Sequence, residues 1–331
     1  MTIHAWAAYG PKEPLKPFEY PLPPLGSHDV EIAISHCGIC YSDLHLIDDD
    51  WGISRFPLVP GHEIIGTLTR KGPDVKNLRI GQKVGLGWQS DACADCEWCM
   101  KGEETLCSSK VRTCVDRHGG FADKMVVSSH FVQAIPDKMD AAIAAPLLCA
   151  GITVYTPFKT YGIQAPMSVA VIGIGGLGHL ALQFAKAFGC EVTAISSSAS
   201  KAAEARRLGA DHFLSHDSLA EAKSRFDFVL SSAHADLDWS AILQTLRPKG
   251  RLCFVGLPKS PLQFPARLLV SGSRTVCGSG TGSRALLQEM LQFSLRHDIR
   301  PQVELFSMQD VNKAIQRLRS NQARYRLVLT N

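Results

Sequence analysis

A chain of 331 residues is too long for one ordinary core and predicts two domains. Its 45% hydrophobic and 20% charged residues are those of a soluble globular protein, and a net charge of +4 on dispersed Lys and Arg argues against nucleic-acid binding. The opening MTIHAWAAYG lacks the make-up of a signal peptide, and the longest apolar stretch, 168–185, is broken by four glycines and His179, so no membrane span is expected.

From the N-terminus to about residue 146 the pattern is short and strand-like. VEIAISHC (30–37), IIGTLTRKG (64–72) and QKVGLGW (82–88) are separated by Gly, Pro and Asp turns, which predicts a compact β-barrel or sandwich. The proline-rich run 11–24 is expected to be a surface connection. SVAVIG (168–173) then reads as a buried strand, followed by a glycine-rich turn and the helix LGHLALQFAKAFG. Strands EVTAIS, DHFLS, FDFVLS, RLCFVG and TVCGSG follow, with helices such as KAAEARRLG and WSAILQTLR among them. This alternation predicts βαβ units and a doubly wound parallel sheet, an α/β Rossmann-type domain. Beyond residue 283 come helix RALLQEMLQFSLRHD, strand QVELF, helix MQDVNKAIQRLRSN and strand YRLVLT. That tail is too short for a domain and is expected to return to the first one. The expected division is 1–148 with 283–331, and 149–282.

Gly173-Ile174-Gly175-Gly176-Leu177-Gly178 is G-x-G-x-x-G between a predicted strand and a predicted helix. In that context the glycines permit a tight turn and let a pyrophosphate approach the helix N-terminus. A plain packing turn is the competing interpretation. An NAD site wants a carboxylate about 20 residues on. Here Ser196, Ser197, Ser198 and Lys201 occupy that region, with no acid between Val192 and Ala203. Hydroxyls and a cation suit a 2′-phosphate, so NADP(H) is the expected cofactor; Ser200 can also cap the next helix.

Eleven cysteines in a chain without an export signal point to a reducing, cytoplasmic setting and to metal binding or free thiols. Four of them, Cys93, Cys96, Cys99 and Cys107, lie in ACADCEWCMKGEETLC (92–107). C-x2-C-x2-C also opens a bacterial iron–sulfur run, but that run continues C-x3-C-P, which is missing here. A closed, tetrahedral Cys₄ zinc site fits, and a closed site is structural. Cys40 follows a strand in CGICYSD, His62 lies in VPGHE just before a strand, and Cys149 closes the apolar helical run 141–148. Singly, Cys149 reads as a buried thiol and His62–Glu63 as a turn histidine beside a carboxylate.

CGICYSDLH, PGHE, the four-cysteine loop, LLCAGITVY and GIGGLGHL stand in the order found in zinc-containing medium-chain alcohol dehydrogenases. The chain resembles their cinnamyl-alcohol-dehydrogenase-like branch, and above all its bacterial broad-range NADPH-dependent aldehyde reductases. The resemblance implies a GroES-like catalytic domain beside the Rossmann domain, and two zinc ions per chain. It implies a catalytic zinc held by Cys40, His62 and Cys149, with Glu63 as an alternative fourth ligand and Asp43 orienting His62. Such a metal supplies Lewis-acid chemistry for hydride exchange between a nicotinamide and a carbonyl carbon. It implies further a proton relay from Ser42 through a ribose hydroxyl to His45, with Asp50 assisting. Relatives pair as dimers through edge strands, for which RTVCGSG is the candidate here.

Cys37, Cys114, Cys190, Cys253 and Cys277 are read as packed thiols, and His118, His130 and His297 as surface residues. Two departures bear on substrate. Tyr41 stands where many cinnamyl-type relatives carry His, and the segment 108–119 is short beside that of the plant enzymes. By position Trp51, Ile53 and Trp88 line the pocket, and the small GSGTGS run (278–283) leaves its far end open. The expected activity is therefore reduction of assorted hydrophobic aldehydes, or oxidation of the matching primary alcohols. Its rivals are an NAD-dependent polyol dehydrogenase and a catalytically silent binding protein on the same scaffold.

Overall fold

The computed structural model describes residues 1–331 and divides the chain into two compact units: Met1–Ile152 with Thr281–Asn331, and Thr153–Gly280. The segment Thr281–Asn331 belongs to the first unit. The expected boundaries are 148/149 and 282/283; the units divide at 152/153 and 280/281, and one helical run continues across the first of these. That run is Ala141–Pro146 as α-helix, Leu147–Gly151 as a π-helical turn and Ile152–Thr160 as α-helix again. Cys149 therefore sits inside a π turn and does not end a helix. Such turns, which bulge by one residue, are frequent at functional sites. The run is long and apolar enough to cross a bilayer, but 72% of its apolar window is buried in the protein, as in a core helix.

In the first unit a seven-stranded sheet is built around Asp29–Ile39, which pairs antiparallel with Glu63–Lys71, Lys124–Ser128 and Arg326–Thr330. Alternating Val30, Ile32 and Ile34 point to one core, joined there by Ile64, Leu68, Val84, Leu86 and Phe121, all sealed from solvent. The proline-rich segment is not merely a connection. Lys16–Pro21 pairs antiparallel with Thr2–Ala7, and its mostly exposed pattern is that of an edge strand, where Pro17 and Pro21 can omit their N–H donors. The expected strand 82–88 is shorter, Lys83–Leu86, and a separate strand Gln89–Asp91 follows it; between them Gly87 passes the Leu148 carbonyl so closely that a Cβ would lie 2.8 Å from it.

The second unit is a six-stranded, wholly parallel sheet. Its spatial order is His212–Ser215, Glu191–Ser196, Ser168–Ile172, Phe226–Ser231, Leu246–Phe254, Thr275–Gly278. In chain order this is 3-2-1-4-5-6, the doubly wound arrangement, and ligands bind such sheets outside the strand ends where the order reverses. Ser168–Ile172 is buried along its whole length, as expected of a strand covered on both faces. Cys37, Cys114, Cys190 and Cys253 are buried thiols as expected, and Cys277 is half-buried. His130 and His297 are exposed. His118 is not a surface residue: it is half-buried with its ring 4.6 Å from Tyr20 and 5.5 Å from Phe18.

Candidate active site

Three segments distant in sequence bring Cys40, His62, Glu63 and Cys149 together, with one donor atom from each within 4.8 Å of the others. Cys40 caps the helix Tyr41–Asp48, where the positive helix end favours a thiolate. His62 follows Gly61, whose φ of +97° and crowding against Phe121 and Cys37 admit only glycine. Glu63 packs into the space left by Gly38, where a Cβ would fall 1.9 Å from Glu63 Oε2. Cys149 is presented by the π turn. His62 Nε2 lies 3.3 Å from Cys149 Sγ, and Cys149 Sγ lies 3.9 Å from Cys40 Sγ. The second separation is close to the edge of about 3.8 Å expected for a tetrahedron with zinc–sulfur bonds of about 2.3 Å.

Asp43 fixes this set from behind. Its Oδ2 accepts the Cys40 N–H at 2.8 Å, and its Oδ1 accepts the Gly61 N–H at 2.9 Å. With His62 Nε2 turned to the sulfurs, Nδ1 is left to donate to Asp43 Oδ1 at 3.1 Å. Burial by itself would keep His62 neutral, yet the Asp43 carboxylate and the Cys149 sulfur raise its pKa well above the usual histidine value. A hydrogen bond from Cys149 draws the Cys40 thiol well below its ordinary pKa, and the Cys149 thiol is raised in turn. Burial pushes Glu63 up to about 7 against the opposing pull of Arg326. One Glu63 oxygen pairs with the buried Arg326 guanidinium, and the other, fully buried, has no partner.

Two thiols competing for one proton, an imidazole aimed at them and an orphaned carboxylate oxygen make a donor set that a divalent, sulfur-tolerant cation satisfies. Zinc fits it. Cys40 and Cys149 are half-buried while His62 and Glu63 are sealed, so the set is accessible only on its sulfur side.

The other expected residues fall as follows. Ser42 Oγ is 3.7 Å from Cys40 Sγ, and His45 Nδ1 is 2.7 Å from Asp50 Oδ2. Ser42 and His45 share a face of one helix at spacing i, i+3. The Trp88 ring packs edge-on against His62 at 5.0 Å and against Trp51 at 6.5 Å, while Trp51 lies 5.1 Å from His45. Trp88 therefore borders the donor set, and Trp51 stands behind it beside His45. Ile53 is half-buried against the core.

The four-cysteine loop brings its sulfurs equally close, with one atom from each of Cys93, Cys96, Cys99 and Cys107 within 4.8 Å. Cys93 Sγ lies 3.5 Å from Cys107 Sγ and 3.9 Å from Cys99 Sγ, and accepts the Cys96 N–H at 3.4 Å. Four thiols with no other donor residue leave no open position, which fits a structural zinc.

In the second unit, Gly173 turns the chain at φ +85° and Gly178 meets it so closely that a Cβ would fall 1.8 Å from the Gly173 carbonyl. Gly175, by contrast, faces open space. The first and last glycines thus serve the turn and its packing, and the middle one leaves room for a ligand. Gly176 and Leu177 complete the turn, and helix Gly178–Ala187 begins there. Lys201 Nζ donates to the Ile174 carbonyl at 2.6 Å, which brings its charge to the glycine turn. Ser197 is exposed, and Ser198 Oγ lies 2.8 Å from Ser200 Oγ. Ser196 is buried and its Oγ accepts the Ser198 N–H at 3.2 Å, so it shapes the turn.

Sequence reasoning missed Arg326, whose only signal is a cation within the apolar run YRLVLT. It also missed the placing of Cys114, whose Sγ lies 3.7 Å from His62 Nδ1.

Residues 26–137 match the alcohol dehydrogenase GroES-like domain, and residues 176–296 match the zinc-binding dehydrogenase family. An aldehyde reductase of Synechocystis sp. is 44% identical over 99% of both chains. The 8-hydroxygeraniol dehydrogenase of Catharanthus roseus is 40% identical over 99% of this chain and 95% of its own. Among solved structures, a cinnamyl alcohol dehydrogenase of Sorghum bicolor superposes with a TM-score of 0.96 at 40% identity, covering 100% of this chain and 98% of that one. A cinnamyl alcohol dehydrogenase of Helicobacter pylori complexed with NADP(H) gives 0.93 at 32% identity over 100% and 98%. The chain belongs to the zinc-binding alcohol dehydrogenase family, with a GroES-like domain and a Rossmann domain.

Proposed function

We propose that this chain is an NADP(H)-dependent aldehyde reductase of broad range, with two zinc ions per chain. The observation that carries the reading is the convergence of Cys40, His62, Cys149 and Glu63 from separate segments onto one point. When bound there, zinc supplies Lewis-acid polarisation of a carbonyl, and the nicotinamide supplies the hydride.

The chain's own residues do the rest. Asp43 holds the His62 imidazole with Nε2 toward the donor set. Arg326 neutralises Glu63, leaving one carboxylate oxygen free to serve as an alternative ligand. Ser42, beside the Cys40 sulfur, hands a proton to the reduced oxygen. His45, which Asp50 orients at 2.7 Å, would resupply it, with a ribose hydroxyl of the bound cofactor as the station between them. Trp88 and Trp51 exclude water and favour an apolar aldehyde side chain, with Ile53 behind them.

At the nucleotide turn, Gly173, Gly175, Gly176, Leu177 and Gly178 receive the pyrophosphate. Lys201, Ser197 and Ser198 meet the 2′-phosphate around a turn that Ser196 shapes. The absence of a carboxylate in the strand end Glu191–Ser196 removes both the NAD ribose contact and a repulsion against phosphate. The NADP(H) complex of the Helicobacter pylori relative supports the same choice.

A homodimer formed through the edge strand Thr275–Gly278 completes the proposal; that strand has a neighbour on one side only. All eleven cysteines are free, which suits the cytoplasm. An absorbance assay of NADPH against NADH over a panel of aldehydes, with zinc counted per chain, tests the reading. Two zincs and faster NADPH oxidation are expected. One zinc, no oxidation with any aldehyde, or activity confined to sorbitol with NAD would overturn it.

A further inference from the structure

A charged group from a distant helix ties the four-cysteine loop to the rest of its unit. Arg284 opens the helix Arg284–Arg296, and its Nε and Nη2 meet Glu104 Oε1 at 2.8 and 2.7 Å. Glu104 lies in the short turn Glu104–Leu106 between Cys99 and Cys107 and is only 5% exposed. Its backbone carbonyl accepts the Gln89 side-chain amide at 2.9 Å. The same guanidinium donates through Nη1 to the His130 carbonyl at 2.8 Å and lies over the Phe131 ring at 5.0 Å.

Phe131 and Arg284 line a small cavity together with Trp88, Leu148, Thr281 and Gly282. This cavity adjoins the donor set: Trp88 packs on His62, and Leu148 precedes Cys149 in the π turn. All of these residues belong to the first unit. An exposed ion pair would matter little. This one has a buried carboxylate, a planar donor that a point charge replaces only in part, and three contacts that meet at Arg284, of which Phe131 lines the cavity with it.

We infer that Arg284 is a positioning residue that ties the four-cysteine loop to the wall of the substrate cavity, so that the loop helps set which aldehyde side chains fit. The inference rests on the aldehyde-reductase reading. Without the guanidinium, Phe131 loses its stacking partner and the His130 carbonyl its donor, and the wall shifts. On this inference an arylalkyl aldehyde meets that wall and a short aldehyde does not.

The test uses the zinc-loaded enzyme with NADPH and compares propanal with 3-phenylpropanal. In Arg284→Met and in Glu104→Gln, KM for the phenyl aldehyde rises about tenfold or more, the scale that small misplacements produce. The kcat and the propanal KM stay within about twofold, the double variant is no worse than either single one, and Arg284→Lys recovers part of the loss. If Arg284→Met does not fold, Glu104→Gln, which keeps the side-chain shape, carries the same comparison. Equal shifts for both aldehydes, no shift, or additive effects in an active enzyme would overturn this inference alone. A wild-type enzyme inactive on every aldehyde would overturn the functional reading and this inference with it.

Discussion

Asp43 and His62 meet through Oδ1 and Nδ1 at 3.1 Å, and both side chains are wholly buried. The same carboxylate also receives the Cys40 and Gly61 amides, so one residue orients two of the metal donors. Asp43→Asn keeps the shape but removes the charge that favours an Nδ1 donor. Catalytic-site zinc is then expected to bind about 10- to 100-fold more weakly, with the four-cysteine site unchanged. Competition with a coloured chelator measures this directly; equal retention of both metals would contradict it.

The glycine turn separates folding from binding. Gly178→Ala drives a methyl group into the Gly173 carbonyl, and a loss of about 3 kcal/mol is expected by urea denaturation. Gly175→Ala meets nothing and leaves stability unchanged, while weakening NADPH binding by intruding on the space reserved for pyrophosphate. Comparable destabilisation by both changes would remove the distinction.

Lys201→Ala is expected to raise the KM for NADPH about tenfold while leaving that for NADH nearly constant, because only NADPH carries the 2′-phosphate. Initial rates with the two cofactors decide it. An equal loss for both would mean that the Lys201 bond to the Ile174 carbonyl serves only to shape the turn.

Acid sensitivity follows from three half-buried histidines. Burial lowers the pKa of His36, His118 and His216 below the ordinary value, with Arg117 adding to the effect at His118. The unfolded chain therefore binds more protons than the folded one just below neutrality. Their contribution to stability is present above about pH 6.5, the unfolded value, and is lost as pH falls through the folded values. Their share of the melting temperature is expected to fall from pH 7 to pH 5, against the opposing share of Glu63, whose raised pKa favours the folded state as pH falls. Replacing His118 by Phe, which keeps an aromatic ring against Phe18 and Tyr20, lessens that fall; an unchanged slope would argue against the assignment.

How legible the site was in the sequence depended on whether each signal was local. The parallel sheet announced itself through alternating apolar strands and helices, and the glycine turn through its place between Ser168–Ile172 and the helix after it. The four cysteines lie within one short loop. Cys40, His62 and Cys149 were readable only as a familiar set, since nothing in spacing joins Cys40 and His62 to Cys149, 109 and 87 positions away. Arg326 and Glu63 are 263 positions apart, and the Arg284–Glu104 pair 180. Such partners are fixed by tertiary packing, and no periodicity reports them. The strand Lys16–Pro21 was hidden by its prolines, which an edge position tolerates. The π turn at Cys149 was hidden because a one-residue bulge leaves helical composition unchanged.

The proposed division of labour between the two candidate metal sites is tested most directly by the NADPH-dependent aldehyde turnover of Cys40→Ser beside that of Cys93→Ser, with zinc counted in each. The account predicts one remaining zinc in both. Cys40→Ser binds NADPH like the wild type but does not turn over. Cys93→Ser melts at a lower temperature, yet its folded fraction keeps its kcat. Sustained aldehyde reduction by a folded Cys40→Ser enzyme lacking the catalytic zinc would contradict it.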